Sequence, residues 1–571
     1  MSSGSSKRSI SSSRSSVDAT DPDYAASLSS QCSNKNVELK ESRNGICYTR
    51  KRKNTSFSDV SSSVVQEEQT KNETVDMACE NQSTRGTNLE QMDNTIDKKK
   101  TRKKRSRCSR GANSRNDQAG GRPATIYAWL IDSKTVKDTR IFQCKEENEK
   151  SKNKGKIRRG GIECDCCNEL ITAAEFCDHS DMKTESPYEK ISAFKGPHCT
   201  LLSLVARAWE KPEESQRRKS NIVFAKANAA DLHDDACMIC ADGGNLMCCE
   251  NCNSTYHYNC VDLEEEPEDC YYCPYCVCKF CENVAQENEN VLTCPLCARK
   301  YHWDCHLQNE PEQIDINSAP CAPYCKKSCK EIFENLEQIV GVQKELGDGY
   351  SWTLLHNTEQ DSGSVYIEDT YKRTMCHAKL AVAYKLMNDC FCNIKDRHTK
   401  IDVLQSVVYN CSANFNRIDF KGFYTAILEK GDEVITAACL RIHGTKLAEM
   451  PFVGTSEVYR GRGMCRRLLS AIESRLSFLK VGSLMIPSTP SRISTWTNSY
   501  GFQPLEDGMR KEIMKCNTLM FHDSTRLQKP LIPSELSSVV LKETGNEQDA
   551  HLLSHPRWEE FLDLNVIPTQ L

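Results

Sequence analysis

Cysteine dominates the chemistry that this sequence can perform. Of its 34 Cys, 17 fall between Cys237 and Cys329, a density that means either disulfides or metal. Cys237-x2-Cys240, Cys249-x2-Cys252, His257-x2-Cys260 and Cys273-x2-Cys276 follow one another within about 40 residues, long enough to wrap two tetrahedral ions with four soft donors each. The order recurs at once in Cys278-x2-Cys281, Cys294-x2-Cys297, His302-x2-Cys305 and a final pair assigned to Cys325 and Cys329. That last pair is less regular, being separated by three residues instead of two, and Cys321 competes for its first position. The segment holds too few apolar residues for a self-sufficient core, so metal binding is folding energy here. Cys248 and Cys270 are left as spare thiols.

MSSGSSKRSISSS at the N-terminus has no apolar core for a secretory signal, and no stretch of about 18 apolar residues could span a bilayer. A reducing compartment is expected, with zinc favoured over disulfides and no membrane partner. The order of four cysteines, one histidine and three further cysteines resembles a PHD finger, Tyr271 standing where many such fingers carry Trp. In this order a cross-brace is expected, with Cys237, Cys240, His257 and Cys260 on one zinc and Cys249, Cys252, Cys273 and Cys276 on the other. The PHD resemblance implies a histone H3 tail added as a strand, its amino terminus and lysine 4 held by acidic groups; Asp234, Asp235 and Glu250 occupy those places. Trimethyl-lysine would need an aromatic cage, yet no Phe, Tyr or Trp lies between Phe224 and Tyr256. Unmodified lysine 4 is therefore the expected ligand.

A second chemistry lies further on. Arg460-Gly461-Arg462-Gly463-Met464-Cys465 joins a strand-like run, KLAEMPFVGT, to a helix-like run on which Met464, Leu468, Leu469, Ile472 and Leu476 share one face. Small residues in such a turn let backbone N–H groups approach a diphosphate, and the helix dipole favours its charge. The segment resembles motif A of the GNAT acyltransferases, R/Q-x-x-G-x-G/A, with Arg460 and Gly463 matching and Cys465 replacing the last small residue. The resemblance implies acetyl-CoA bound by Val458, Arg460, Gly461, Arg462, Gly463, Met464 and Cys465. A lysine ammonium of pKa about 10.4 must lose a proton before it can attack the thioester, and Glu449, eleven residues before Arg460, stands where histone-acetylating members place their base. The Tyr that often protonates the leaving thiolate is replaced by Thr497. Tyr500-Gly501-Phe502 matches the helix-ending G-F of the same family, and Tyr500 is expected to pack.

The elements that must position these groups form a multidomain chain of 571 residues. KLAVAYKLM suggests a helix, GFYTAIL and VITAACLRI suggest strands around Lys430-Gly431-Asp432, and SLMIPS suggests the strand after the cofactor helix, giving a mixed α/β domain over 345–531. The first finger occupies 234–277 and the second 278–330, behind a polar linker at 211–233. Residues 123–210 form a small domain in which Cys164, Cys167 and His179 supply three ligands of a metal site, with Cys199 or His198 as fourth, or else are buried thiols. Residues 1–122 are too polar to bury a core and read as disordered; their basic runs, Arg50 to Lys53 and Lys98 to Arg107, suit nuclear import. The balance of 75 Lys+Arg against 79 Asp+Glu argues against uniform coating of nucleic acid.

Paired fingers running into CKEIFENLEQIVGV, then VVYNCSANFNRIDFKGFYTAILEKGDEVITAA, AEMPFVGT and YRGRGMCRRLLSAIESRL, resemble plant PHD-finger acetyltransferases of the Increased DNA methylation type. The domain at 123–210 resembles their Tify/Jas-like module. The resemblance implies a nuclear chromatin regulator that acetylates histone H3 and works with DNA-methylation or demethylation machinery. In the tail, 532–571, Leu562, Leu564, Asn565 and Pro568 sit in LDLNVIP, which resembles the plant EAR motif and implies TOPLESS-type corepressors. The rival expectation is a non-catalytic co-regulator with a degenerate GNAT domain.

Overall fold

The structure, a computed structural model, describes residues 39–42, 45–48, 122–144, 153–194, 199–224, 232–285, 290–310, 324–358, 369–391 and 393–531. The two basic runs, His198, Cys321 and the tail residues Leu562, Leu564, Asn565 and Pro568 lie outside the described residues. No described helix is long and apolar enough to cross a membrane.

Runs of β-branched and aromatic residues build one eight-stranded sheet. Its order is Lys344–Gly347, Tyr350–Leu355, Phe423–Lys430, Glu433–Ile442, Leu447–Thr455, Ser483–Ser488, Thr525–Pro530 and Gln503–Pro504. Leu447–Thr455 and Ser483–Ser488 run parallel, because the helix Met464–Phe478 crosses between them; the other neighbours are antiparallel. Phe423–Lys430 and Glu433–Ile442 are buried almost without a break, as strands covered on both faces are. Thr370–Cys390 and Met464–Phe478 both pack on them.

The parallel ladder covers Leu447↔Ser483, Ala448↔Leu484 and Glu449↔Met485, and then the strands part. The cause is local. Against its other neighbour the register passes from Cys439↔Phe452 to Arg441↔Glu449, a bulge taken up by Met450 and Pro451. Pro451 has no N–H for a ladder, and bulges are where sheets accommodate proline. The resulting divergence opens toward the turn that starts at Arg460.

Upstream, a five-stranded sheet runs in the order Leu170–Ile171, Gly161–Cys164, Lys154–Arg158, Ile141–Cys144, Ile191–Ala193. Thr125 and Thr200 cap the helices Ile126–Asp132 and Leu201–Trp209 by accepting from Ala128 N–H and Ser203 N–H. This small domain shares one hydrophobic core with the large sheet. Leu201–Trp209 packs along Thr370–Cys390, and Trp209 stacks on His377 with ring centroids 4.5 Å apart. The expected linker is docked over its first half: Pro212–Arg217 is helical, buried Glu214 accepts from the Tyr409 hydroxyl, and Asn221 N–H donates to the Ser412 carbonyl at 2.7 Å.

Candidate active site and metal clusters

Four sulfur-rich clusters form where the spacing placed them. Cys237, Cys240, His257 and Cys260 gather in one and Cys249, Cys252, Cys273 and Cys276 in the next, their ligand atoms within 4.8 Å of one another. Cys278, Cys281, His302 and Cys305, and then Cys294, Cys297, Cys325 and Cys329, repeat the pattern within the same 4.8 Å limit. Backbone N–H groups aim at the sulfurs, Ile239 and His257 at Cys237 (3.4 Å each) and Cys273 at Cys249 (3.3 Å). Donors so directed favour the thiolate, the form that binds metal. Lys279 Nζ lies 3.0 Å from Cys325 Sγ and 3.5 Å from Cys297 Sγ, a countercharge for the all-cysteine cluster. The donor sets and their closeness fit a divalent ion at each cluster. The irregular final pair works because Cys329 lies in the first turn of Lys327–Glu337, which returns its sulfur toward Cys325. Of the two thiols read as spare, Cys270 is disulfide-bonded.

The three acidic residues expected to meet a histone tail divide. Asp234 is buried, and Arg417 of the large domain clamps it through Nε at 2.7 Å and Nη2 at 3.0 Å. Its assignment to peptide binding is therefore corrected: the carboxylate holds the finger to the sheet domain. Asp235 is half-buried and Glu250 exposed. Further bonds fasten the finger, from Asn253 Nδ2 to the Asn414 carbonyl (2.6 Å), from Arg526 to the Ile239 carbonyl (2.7 Å) and between His522 and Asp242 (2.7 Å). Met247–Cys248 pairs with Thr255–Tyr256 in a two-stranded sheet, the kind of short edge on which an extended peptide adds.

At the diverging strands the chain passes through a 3-10 turn, Glu457–Tyr459, which contains Val458, into Arg460. Arg460 Nε donates to the Thr455 carbonyl at 3.1 Å and so ties the turn to the strand end. Gly461 and Gly463 have φ of 72° and 77°, and an added Cβ would meet nothing within 4 Å at either. Glycine is required there by backbone conformation, not by crowding. Gly463 is the N-cap of the 15-residue helix Met464–Phe478 and supplies no side-chain cap. The first-turn N–H groups of that helix thus lack the usual intrahelical acceptor and sit at the positive end of its dipole. Arg462, Arg466 and Arg467 flank a cleft of about 910 Å³ that starts at Gly463 and reaches Lys344 and Phe478. Amides, dipole and guanidiniums together suit a polyphosphate. Cys465 points inward, where burial pushes its thiol up to about 11, so it packs as a small neutral residue. Tyr500 packs on Trp496 at 4.9 Å, as expected, and Thr497 Oγ1 donates to the Ser494 carbonyl at 3.3 Å.

Glu449 does not have the surroundings expected of a base. Its side chain is wholly buried and accepts from Arg441 Nε (2.7 Å), His443 Nε2 (2.9 Å) and Leu519 N–H (2.8 Å). Burial alone would raise its pKa, but the Arg441 charge and the His443 contact outweigh that and hold it at about 2. A carboxylate so acidic and so fully bonded is a weak proton acceptor, which weighs against the direct base role expected from the sequence. Arg441 and His443 lie in the preceding strand and hairpin, Arg441 directly opposite Glu449 in the register, whereas Leu519 comes from a loop 70 residues on that nothing near Glu449 announces.

A parallel strand pair that parts beside a proline bulge, with a glycine turn and an uncapped helix behind it, defines a mixed α/β domain with an open, anion-suited turn. Residues 391–530 match the family described as Increased DNA methylation 1, C-terminal domain, and residues 155–196 match the Tify domain binding domain. The chain is 33% identical over 432 residues to Increased DNA methylation 1 of Arabidopsis thaliana, across 74% of this chain and 36% of that protein. A shorter similarity, 33% identity over 101 residues, is to Histone-lysine N-methyltransferase NSD3 of Mus musculus, 17% of this chain and 7% of that protein. A solved structure of Tetrahymena GCN5 is similar at 14% identity over 32% of this chain and 96% of that chain, with a TM-score of 0.24. The chain spans about a third or less of the length of these curated relatives.

Proposed function

We propose that this chain is a nuclear chromatin regulator that reads the histone H3 tail and transfers acetyl from acetyl-CoA to a histone lysine. Zinc is the ion of the four finger clusters, two per finger, because three or four thiolates with or without one imidazole is its preferred donor set. Asp235 and Glu250, without Asp234, meet the tail at the edge Met247–Cys248. The observation that carries the transfer reading is Gly463, an uncapped helix start at the mouth of two diverging strands.

In this reading the turn from Arg460 to Cys465 binds the coenzyme's diphosphate and Arg462, Arg466 and Arg467 neutralise its charge. Glu449 fixes the ring of His443 by accepting from Nε2, which leaves Nδ1 as the proton acceptor. A reader and an acyltransferase on one chain raise the local concentration of a weakly held tail. The Tify-binding domain and the LDLNVIP tail add protein partners, including TOPLESS-type corepressors and DNA-methylation machinery.

The satisfied carboxylate of Glu449 favours a second reading, a co-regulator that binds acetyl-CoA without transferring it. One experiment separates the two: transfer of labelled acetyl from acetyl-CoA to H3 peptides by the full chain, beside His443→Gln and Glu449→Gln. Transfer that drops at least tenfold in His443→Gln supports the enzyme. Calorimetric binding of acetyl-CoA with no transfer to any peptide establishes the scaffold.

A further inference from the structure

The Tify-binding domain contains a group of side chains that the function above does not use. Cys164 ends the strand Gly161–Cys164, Cys166 and Cys167 lie in the turn that follows, and His179 is the C-cap of the helix Ala173–Asp178. Their ligand atoms all lie within 4.8 Å of one another. His179 Nδ1 is 3.2 Å from Cys166 Sγ, 3.7 Å from Cys164 Sγ and 3.8 Å from Cys167 Sγ, and the Cys164 and Cys166 sulfurs are 3.2 Å apart. Bond lengths of about 2.3 Å to sulfur and 2.0–2.1 Å to nitrogen give a tetrahedron with edges of about 3.6–3.8 Å, which these distances bracket. A disulfide needs about 2.05 Å.

Burial does not explain the cysteines, since Cys166 and Cys167 are exposed and contribute nothing to a core. Asn153 Nδ2 donates to Cys164 Sγ at 2.8 Å, the kind of outer contact that orients a metal-bound thiolate. Cys199, one of the fourth ligands expected from sequence, instead lies 3.3 Å from Ser203 Oγ; Cys166 takes that place.

We infer that Cys164, Cys166, Cys167 and His179 bind one zinc ion, separate from those of the fingers, and that this ion holds the Tify-binding domain against the acyltransferase domain. The link is the helix Ala173–Asp178, only six residues long and unable to persist alone. The ion grips the strand end before it and the cap after it. At its start Ala173 N–H donates to Asp432 Oδ2 at 2.9 Å, and the Tyr127 hydroxyl donates to the same oxygen at 2.6 Å. Asp432 is in the turn between Phe423–Lys430 and Glu433–Ile442, at the end of the large sheet.

The test is zinc content of the purified full chain by elemental mass spectrometry, with amide exchange at Ala173. Cys167→Ser/His179→Ala is expected to hold one zinc fewer than the parent, whatever the fingers hold, and to exchange the Ala173 amide at least tenfold faster. His179→Cys, which restores four donors, is expected to match the parent in both. Equal zinc in parent and double variant overturns the site. Loss of one zinc with unchanged exchange at Ala173 overturns its role in docking.

Discussion

Arg417 closes on Asp234 across 183 residues of sequence, with Nε 2.7 Å and Nη2 3.0 Å from the two carboxylate oxygens, while its Nη1 reaches Asp396 at 2.6 Å. One guanidinium thus joins the first finger to the large sheet domain, where Asp396 is its second partner. All three side chains are less than a tenth exposed, so removing the cation takes the countercharge from two carboxylates that keep neutral donors, Ala236 N–H on Asp234 and the His398 and Thr399 N–H groups and Thr399 hydroxyl on Asp396.

Arg417→Met is accordingly expected to destabilise the folded chain by roughly 3–5 kcal/mol, the range for breaking one side of a buried pair. Chemical denaturation monitored by fluorescence checks this. A loss below about 1 kcal/mol, the size of an exposed pair, contradicts the buried-clamp reading.

For the reader, Glu250→Gln is expected to weaken binding of an unmodified H3 peptide several-fold with little change in stability, and trimethylation of lysine 4 is expected to weaken it as well. Asp234→Asn is expected to lower stability instead. Fluorescence anisotropy with both peptides decides it, and equal affinity for every peptide and variant sinks the assignment.

Glu449 makes a pH prediction. Its carboxyl sits at about 2 in the folded chain against about 4.3 when unfolded, so the native state favours the ionised form. That stability, roughly 3 kcal/mol, is complete above the unfolded value and is lost as pH falls from about 4.3 toward 2. Glu449→Gln is expected to flatten this part of the acid-unfolding curve, measured as stability at pH 6 and pH 3.5. Parallel curves for the two proteins disprove the pairing.

At the cofactor turn, Gly463→Ala places a Cβ at φ 77°, which costs about 1–2 kcal/mol. Since that Cβ meets no neighbour within 4 Å, the fold should survive while acetyl-CoA affinity falls at least tenfold. Titration calorimetry beside a melting curve measures both. Unchanged affinity removes the turn from the binding site.

Much of this molecule was legible from spacing. Metal ligands in Cys-x2-Cys pairs are brought together by turns of two residues, so Cys237 through Cys305 could be assigned before any fold was known. The same holds for Gly463, whose left-handed backbone and helix-starting place follow from neighbours within a few positions. Glu449 had the right offset from Arg460 and the wrong surroundings. Arg441 and His443 sit in the hairpin just before it, but the register that sets Arg441 opposite it depends on the bulge at Met450 and Pro451, and Leu519 arrives from a loop 70 residues on.

What the residues determined alone is therefore the local chemistry: which sulfurs cluster, where a helix start is left without a side-chain cap, which runs become strands. Tertiary structure alone decided the distant partners of buried polar groups, placing Leu519 N–H on Glu449, Arg417 on Asp234, and Cys166 beside His179 in preference to Cys199. The reason is physical. A ligand pair closed by a short turn loses little chain entropy and has few alternatives, whereas a charge leaving water takes whichever opposite charge the packed core delivers, and that depends on register and docking across the whole chain.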